Sequence, residues 1–332
     1  MAEDDERCGA GLAREYSGEQ RTPVMQEKRC RAPASAPPLE CSAYTLEVTG
    51  KGIAEIEDAR SRILSGTPIN IAFLGNESHD QRINAARVIR TCGFEPVPIL
   101  SARRLRSMED LDTLLHALIE VAAPSRFILV GGDPAQPAGP FADSLGLLSA
   151  GILQRHAIRR VGIVAYPEGH PKIDADALWR SLKWKVAFLR EEGCAVEITT
   201  QFGFDADAVS RWIVRLRDEG IDCPVRVGVP GAAGAGRLLG FARQFGVLSS
   251  ARIVRRYGIA LADPVQHVGP ERFLDRLAAG LIGRDPGNVL FHLYPFGGIA
   301  EATGWMDEYL AKHGVPGVVS LRSARPDCGN PR

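Results

Sequence analysis

RVGIVAYPEGHPKIDADALWRSLKWKVAFLREEGCAVEITTQF, residues 160–202, decides the fold. It opens with a run rich in Val and Ile (160–166) and passes through a loop stiffened by two prolines. It then enters a segment of helical apolar spacing, 176–193, ending at Gly193. A second strand-like run, VEITTQF (196–202), follows. Strand, helix and strand in that order imply a parallel pair, because parallel strands need a crossover between them.

The alternation continues in both directions. Upstream lie SAYTLEVTG (42–50), INIAFLG (69–75), EPVPILS (95–101) and RFILVGG (126–132). Downstream lie VRVGVP (225–230) and VLFHLYPFG (289–297), which brings the candidate strands to eight. Between them, MEDLDTLLHALIEVA (108–122) places Leu111, Leu114, Leu115 and Leu118 on one helical face. Eight strands in such alternation predict a closed (β/α)₈ TIM barrel, with an open doubly wound sheet as the structural alternative. The region 247–287 is too long for one crossover and predicts extra helices between strands seven and eight. Residues 1–40 lack periodicity and hold the Pro/Ala-rich RAPASAPPLE, so they read as a disordered arm. The barrel is expected over 41–320, with a C-terminal tail at 321–332.

Composition excludes several classes of partner. Forty basic and forty acidic residues cancel over 332 positions, giving no electrostatic reason to expect nucleic acid or an anionic membrane. No apolar run approaches the roughly 20 residues of a membrane span. The acidic, polar MAEDDERCGAGLAREYSGEQ does not read as a secretory signal. Seven cysteines without a CxxC pair suggest neither a disulfide framework nor a zinc cluster, and a cytoplasmic location is expected. A homo-oligomer is compatible with the sequence, since barrel helices carry one apolar face with or without a partner.

In such a barrel, chemistry sits where strands run into the following helices. In TLEVTG, Leu46 and Val48 alternate with Thr45, Glu47 and Thr49, so Glu47 is expected to point into the barrel mouth. Burial there would raise its pKa and let it donate a proton; the alternative is a solvated strand-end carboxylate. Strand four ends in GGDPAQP, where Gly131 and Gly132 permit close approach and Asp133 follows, although Gly-Asp-Pro is also good turn chemistry. Strand five ends in YPEGHP, with Tyr166, Glu168 and His170 packed around two prolines. Strand six ends in TTQFGF, where Gln201 offers an amide suited to reading a heterocycle edge. After strand seven, PGAAGAG has GxxGxG spacing rather than a dinucleotide fingerprint, and reads as a flexible loop. P-loop, GxSxG and HExxH motifs are missing.

The order of these features resembles the methylenetetrahydrofolate reductase family. YPEGHP (166–171) and TQFGFD (200–205) are the most specific pieces, and the similarity runs over about residues 42–247. The resemblance implies a (β/α)₈ barrel in which NAD(P)H reduces FAD and the flavin then reduces methylenetetrahydrofolate. It makes Glu47 the general acid that protonates folate as its five-membered ring opens. It makes Asp133 the aspartate near flavin and pterin, and Gln201 the pterin-contacting glutamine. Tyr166, His170, Lys185, Gly132 and Asp133 fall at FAD-binding positions. The chain departs from the family at Gly131, where an arginine usually contacts the FAD phosphates. It departs again at Ala72, at Pro98-Ile99-Leu100-Ser101, and in the small residues of PGAAGAG. Two further readings follow from these departures. One is a divergent folate-binding paralog with weakened FAD binding, handling one-carbon units in a demethylation pathway. The other is a non-catalytic partner of a related enzyme, suggested by the polar arm.

Overall fold

A computed structural model describes residues 44–75, 77–244, 267–268 and 270–312. The expected arm, the expected tail and residues 245–266 lie outside these. Eight parallel strands close into a barrel. They are β1 (Tyr44–Val48), β2 (Pro68–Ile71), β3 (Glu95–Ser101), β4 (Phe127–Val130), β5 (Arg160–Ala165), β6 (Ala195–Phe202), β7 (Val225–Pro230) and β10 (Val289–Tyr294). Each pairs in parallel with its neighbour in the chain, and β10 closes the ring between β7 and β1. The expected barrel is therefore present, and the open sheet is not.

Helices return the chain between strands: α1 (Ile53–Ala59), α2 (His79–Thr91), α3 (Met108–Ala122), α6 (Ala175–Glu191) and α7 (Ala206–Asp218); α10 (Ile299–Lys312) follows the last strand. Their starts follow capping chemistry. Ser78 and Gln81 form a reciprocal capping box on α2, while Ser107, Asp174 and Asp205 each accept a backbone N–H from the first turn of α3, α6 and α7. After β4 the crossover breaks into two short helices, α4 (Ser144–Ser149) and α5 (Ile152–Arg155), divided at Gly151 with positive φ. Between β7 and β10 lie a small antiparallel pair, β8 (Ala233–Gly234) with β9 (His267–Val268), and helices α8 (Ala235–Gln244) and α9 (Glu271–Leu281). The helix α9 packs on α7, where Arg276 forks onto Asp207 through bonds of 2.8 and 2.6 Å. It is the described part of the additional structure expected before strand eight.

Register separates two kinds of interior. Leu46, Ile69, Leu100, Leu129, Ile163, Ile198, Val227 and Leu293 are buried on the outer, helix-facing row. Burying such a side chain contributes roughly 1.5–3 kcal/mol, so this layer is the main source of stability. The alternate residues face inward and are mixed: Thr45, Asn70, Thr199, Arg226 and His292 are buried polar groups, while Val97 and Ile128 are buried apolar ones from β3 and β4. At the N-terminal end of the barrel, Arg226 on β7 and Arg126 before β4 reach Glu197 on β6 at 2.8 and 3.4 Å. The polar residues on β1, β2, β6, β7 and β10 depart from the Val/Ile/Leu filling usual in this architecture.

Candidate active site

At the mouth, parallel pairing places Thr45 of β1 beside His292 of β10, and Glu47 beside Asn70 of β2. Thr45 and Glu47 share one face because they are two residues apart on a strand. His292, 0% exposed, bridges them. Its Nδ1 is 2.8 Å from Thr45 Oγ1, and its Nε2 is 3.4 Å from Glu47 Oε2. Glu47 keeps its side chain 23% exposed, so the carboxyl closes a buried chain at its solvent-facing end.

Aromatic rings surround this chain. Tyr294, two residues beyond His292, meets its imidazole edge to face at 4.7 Å. Tyr294 also contacts Phe202 at 5.2 Å and Phe296 at 5.9 Å. Phe296 stacks in turn on Phe241 at 4.1 Å. Burial, then the charge of Glu47, then Tyr166 hold the Tyr294 hydroxyl well above the usual phenol range. It therefore stays protonated, and donates toward Thr200 O at 3.4 Å.

Strand β6 reaches this cluster through a bulge. The β6–β7 register shifts between Thr199 and Phe202, and Phe202 pairs with Gly228. Thr200 Oγ1 accepts the Gly228 N–H at 2.8 Å. A Cβ on Gly228 would lie 2.5 Å from Thr200 O and 2.7 Å from Gln201 C, so only glycine fits beneath the bulge. Gln201 is the bulged residue, and its Oε1 accepts the N–H of Phe202 at 3.2 Å. The amide expected to read a heterocycle is thus partly engaged by its own backbone.

Among the described residues, no hydrogen bond or ion pair joins Glu47, Asp133 and Gln201 to one another. Asp133 is 79% exposed and ion-paired with Arg104. A cavity of about 570 Å³ lies among the loops after β2, β3 and β4, lined by Phe73, His79, Arg103, Arg104, Arg106 and Gln136 among others. None of the three residues lines it. Gly132 does serve a tight turn: its φ is +97°, and a Cβ would lie 2.2 Å from Ser101 Oγ.

The two signature loops are bound to each other. Glu168 Oε1 accepts the backbone N–H groups of Phe204 and Asp205 at 2.6 and 2.8 Å, and Asp205 caps α7. Much of YPEGHP and TQFGFD therefore serves loop architecture. Tyr166 and His170 remain side by side, ring centroids 5.0 Å apart. His170 Nδ1 accepts from the Lys172 N–H at 3.1 Å, and burial followed by the nearby Lys172 charge lowers its pKa.

Lys185 and Gly131 do not supply the FAD contacts that the resemblance implies. Lys185 is 6% exposed and turned into the junction of α6 and α4, with Nζ 3.4 Å from Ser144 Oγ. Gly131 supplies no guanidinium, and a Cβ there would meet nothing within 4 Å. Ala72 is buried, and the Phe73 ring beyond it lies under Arg82 at 3.9 Å and near Arg104 at 5.9 Å. Among the described residues, no group of three or more His, Cys, Asp or Glu is placed to hold a metal.

Sequence reading missed Thr45, His292 and Tyr294. The signal was present as Thr45-x-Glu47 and His292-x-Tyr294, two strands whose alternate residues face one space. Only barrel closure shows that β1 and β10 are neighbours.

Fold and site together define a (β/α)₈-barrel protein with a hydroxyl–imidazole–carboxyl chain at its C-terminal mouth. No protein-family profile matches the chain. Among solved structures it is similar to dihydropteroate synthase from Thermus thermophilus, at 13% identity and a TM-score of 0.43, over 80% of this chain and 93% of that one. It is also similar to N-acetylneuraminate lyase from Fusobacterium nucleatum, solved with pyruvate, at 12% identity and a TM-score of 0.37, over 61% of this chain and 65% of that one. Among the described residues, no helix is long and apolar enough to cross a membrane.

Proposed function

We propose that this chain is an enzyme that binds a folate-type pterin at the barrel mouth, and that Glu47 exchanges the proton that opens and closes the one-carbon bridge. The observation that carries the reading is the Thr45–His292–Glu47 chain beside the rings of Tyr294 and Phe202. A partly exposed carboxyl backed by a buried imidazole is a suitable proton donor, and aromatic rings suit a flat heterocycle. In methylenetetrahydrofolate, Glu47's proton moves to one bridge nitrogen. The bond from that nitrogen to the bridging carbon breaks, its electron pair stays on the nitrogen, and an iminium remains at the other nitrogen. Tyr294, its hydroxyl turned to Thr200 O, contributes its ring rather than a proton.

The placements of Lys185 and Gly131 favour the divergent form of the family, in which FAD is held weakly and one-carbon units pass to or from the folate. Retention of the Tyr166–His170 pair favours the second reading, a flavin-dependent, NAD(P)H-driven reductase of methylenetetrahydrofolate.

The test is an absorbance spectrum of purified protein, then anaerobic mixing with methylenetetrahydrofolate, with and without FAD and NADH or NADPH. The expected protein is colourless and binds the pterin. Its Glu47→Gln variant binds with similar affinity but loses turnover by about 10²–10⁴-fold, the range for a general acid. A protein that purifies with near-stoichiometric flavin returns the reductase reading. A protein that does not bind the pterin ends both.

A further inference from the structure

We propose that His292 is the positioning residue for Glu47: anchored by Thr45, it fixes the carboxyl's orientation and shares its transferable proton. The inference rests on the reading above and extends it from Glu47 to the imidazole behind it.

The first argument is accounting of hydrogens. His292 is 0% exposed, so its ring nitrogens rely on protein partners. Each has one: Thr45 Oγ1 at Nδ1 and Glu47 Oε2 at Nε2. The Thr45 hydroxyl has one proton, and Oγ1 also lies 3.5 Å from Phe291 O, a carbonyl that can only accept. The 2.8 Å contact to Nδ1 holds one hydrogen, supplied by the hydroxyl or by the ring. Whichever supplies it, Nε2 is left facing the Glu47 carboxyl, and the hydrogen of that contact lies between the two groups.

The second argument is position. The other groups near the ring are poorly suited to replace Glu47 as its proton partner. Tyr294 presents its ring edge to face and directs its hydroxyl toward Thr200 O. Arg226, on the adjacent β7, is paired with Glu197. During turnover the balance is simple. The proton passes through Glu47 to the bridge nitrogen, which leaves a carboxylate facing Nε2. The next proton enters from solvent at the exposed side of the carboxyl.

The test uses the full chain with His292→Gln and Thr45→Val. In His292→Gln, kcat with methylenetetrahydrofolate is expected to fall about 100-fold, within the range for acid–base groups, while KM changes less than about threefold. Thr45→Val keeps the side chain's shape and removes the hydroxyl, and is expected to lower kcat about tenfold. The readout independent of turnover is ¹⁵N NMR of histidine-labelled protein. The Nε2 signal of His292 should move in Glu47→Gln, and its Nδ1 signal in Thr45→Val. A kcat within twofold of wild type in both variants overturns the proposal, and so does an Nε2 signal indifferent to Glu47→Gln. If wild type does not turn over the folate, the functional reading fails by itself, while the NMR result still decides whether the two residues share a proton.

Discussion

Two glutamates show how environment assigns work to one side chain. Glu47 ends a buried chain and meets solvent. Glu168 turns inward and accepts two backbone N–H groups from the loop after β6. Both of those bonds fall on one oxygen, which yields a prediction. Glu168→Ala should destabilise the protein by roughly 1.5–3 kcal/mol, the worth of hydrogen bonds to a charged acceptor. Glu168→Gln, which can place an amide oxygen there, should cost less than half as much. Urea denaturation of the two variants checks the order; equal losses would remove the loop-binding role. Asp133 illustrates the opposite outcome. The resemblance made it the aspartate near flavin and pterin; in the structure it is largely exposed and paired with Arg104.

At the scale of elements, the bulge in β6 matters most. It shifts the inward row so that Phe202 joins Tyr294 and Phe296, and it leaves Gln201 folded onto its own backbone. The bulge presses on β7 where Gly228 leaves room. Gly228→Ala puts a methyl against backbone atoms that have no rotamer to change, so an overpacking cost of about 1–3 kcal/mol or more is expected. The same variant should also impair the mouth, since Thr200 is held by the Gly228 N–H and receives the Tyr294 hydroxyl. Thermal unfolding and pterin affinity should therefore fall together. A variant with unchanged melting would mean that the two strands separate easily at this point.

For the molecule as a whole, stability resides in the aliphatic layer between barrel and helices, while buried polar groups share the barrel interior with Val97 and Ile128. Lys185 is an exception, a lysine buried in the outer layer between α6 and α4. Burial lowers its pKa, and the nearby Asp143 only partly opposes this. The folded state therefore releases a proton that the unfolded chain keeps. Wild-type stability should rise with pH from the lowered folded value to the ordinary lysine value of about 10.4, because the unfolded chain binds more protons in that window. Below the window the cost of the buried charge is fully present. Lys185→Met removes the charge and keeps the length, so it should be at least as stable as wild type near pH 7 and lack the rise toward pH 10. Denaturant midpoints at the two pH values check this. A variant less stable at pH 7 would show that the Ser144 and Asp143 contacts outweigh desolvation.

The sequence alone determined eight parallel strands joined by crossovers, because alternating apolar runs and amphipathic helices are local patterns; closure into a barrel rather than an open sheet was decided by the tertiary structure. It also determined that Glu47 faces inward, since side-chain direction on a strand repeats every two residues. Tertiary structure decided who stands beside whom. His292 reaches Glu47 across 245 residues only because β10 closes against β1. Asp133 turned to Arg104, Lys185 to Ser144 and Gln201 to its own backbone because each took the partner that packing brought within reach, and no local pattern encodes that choice.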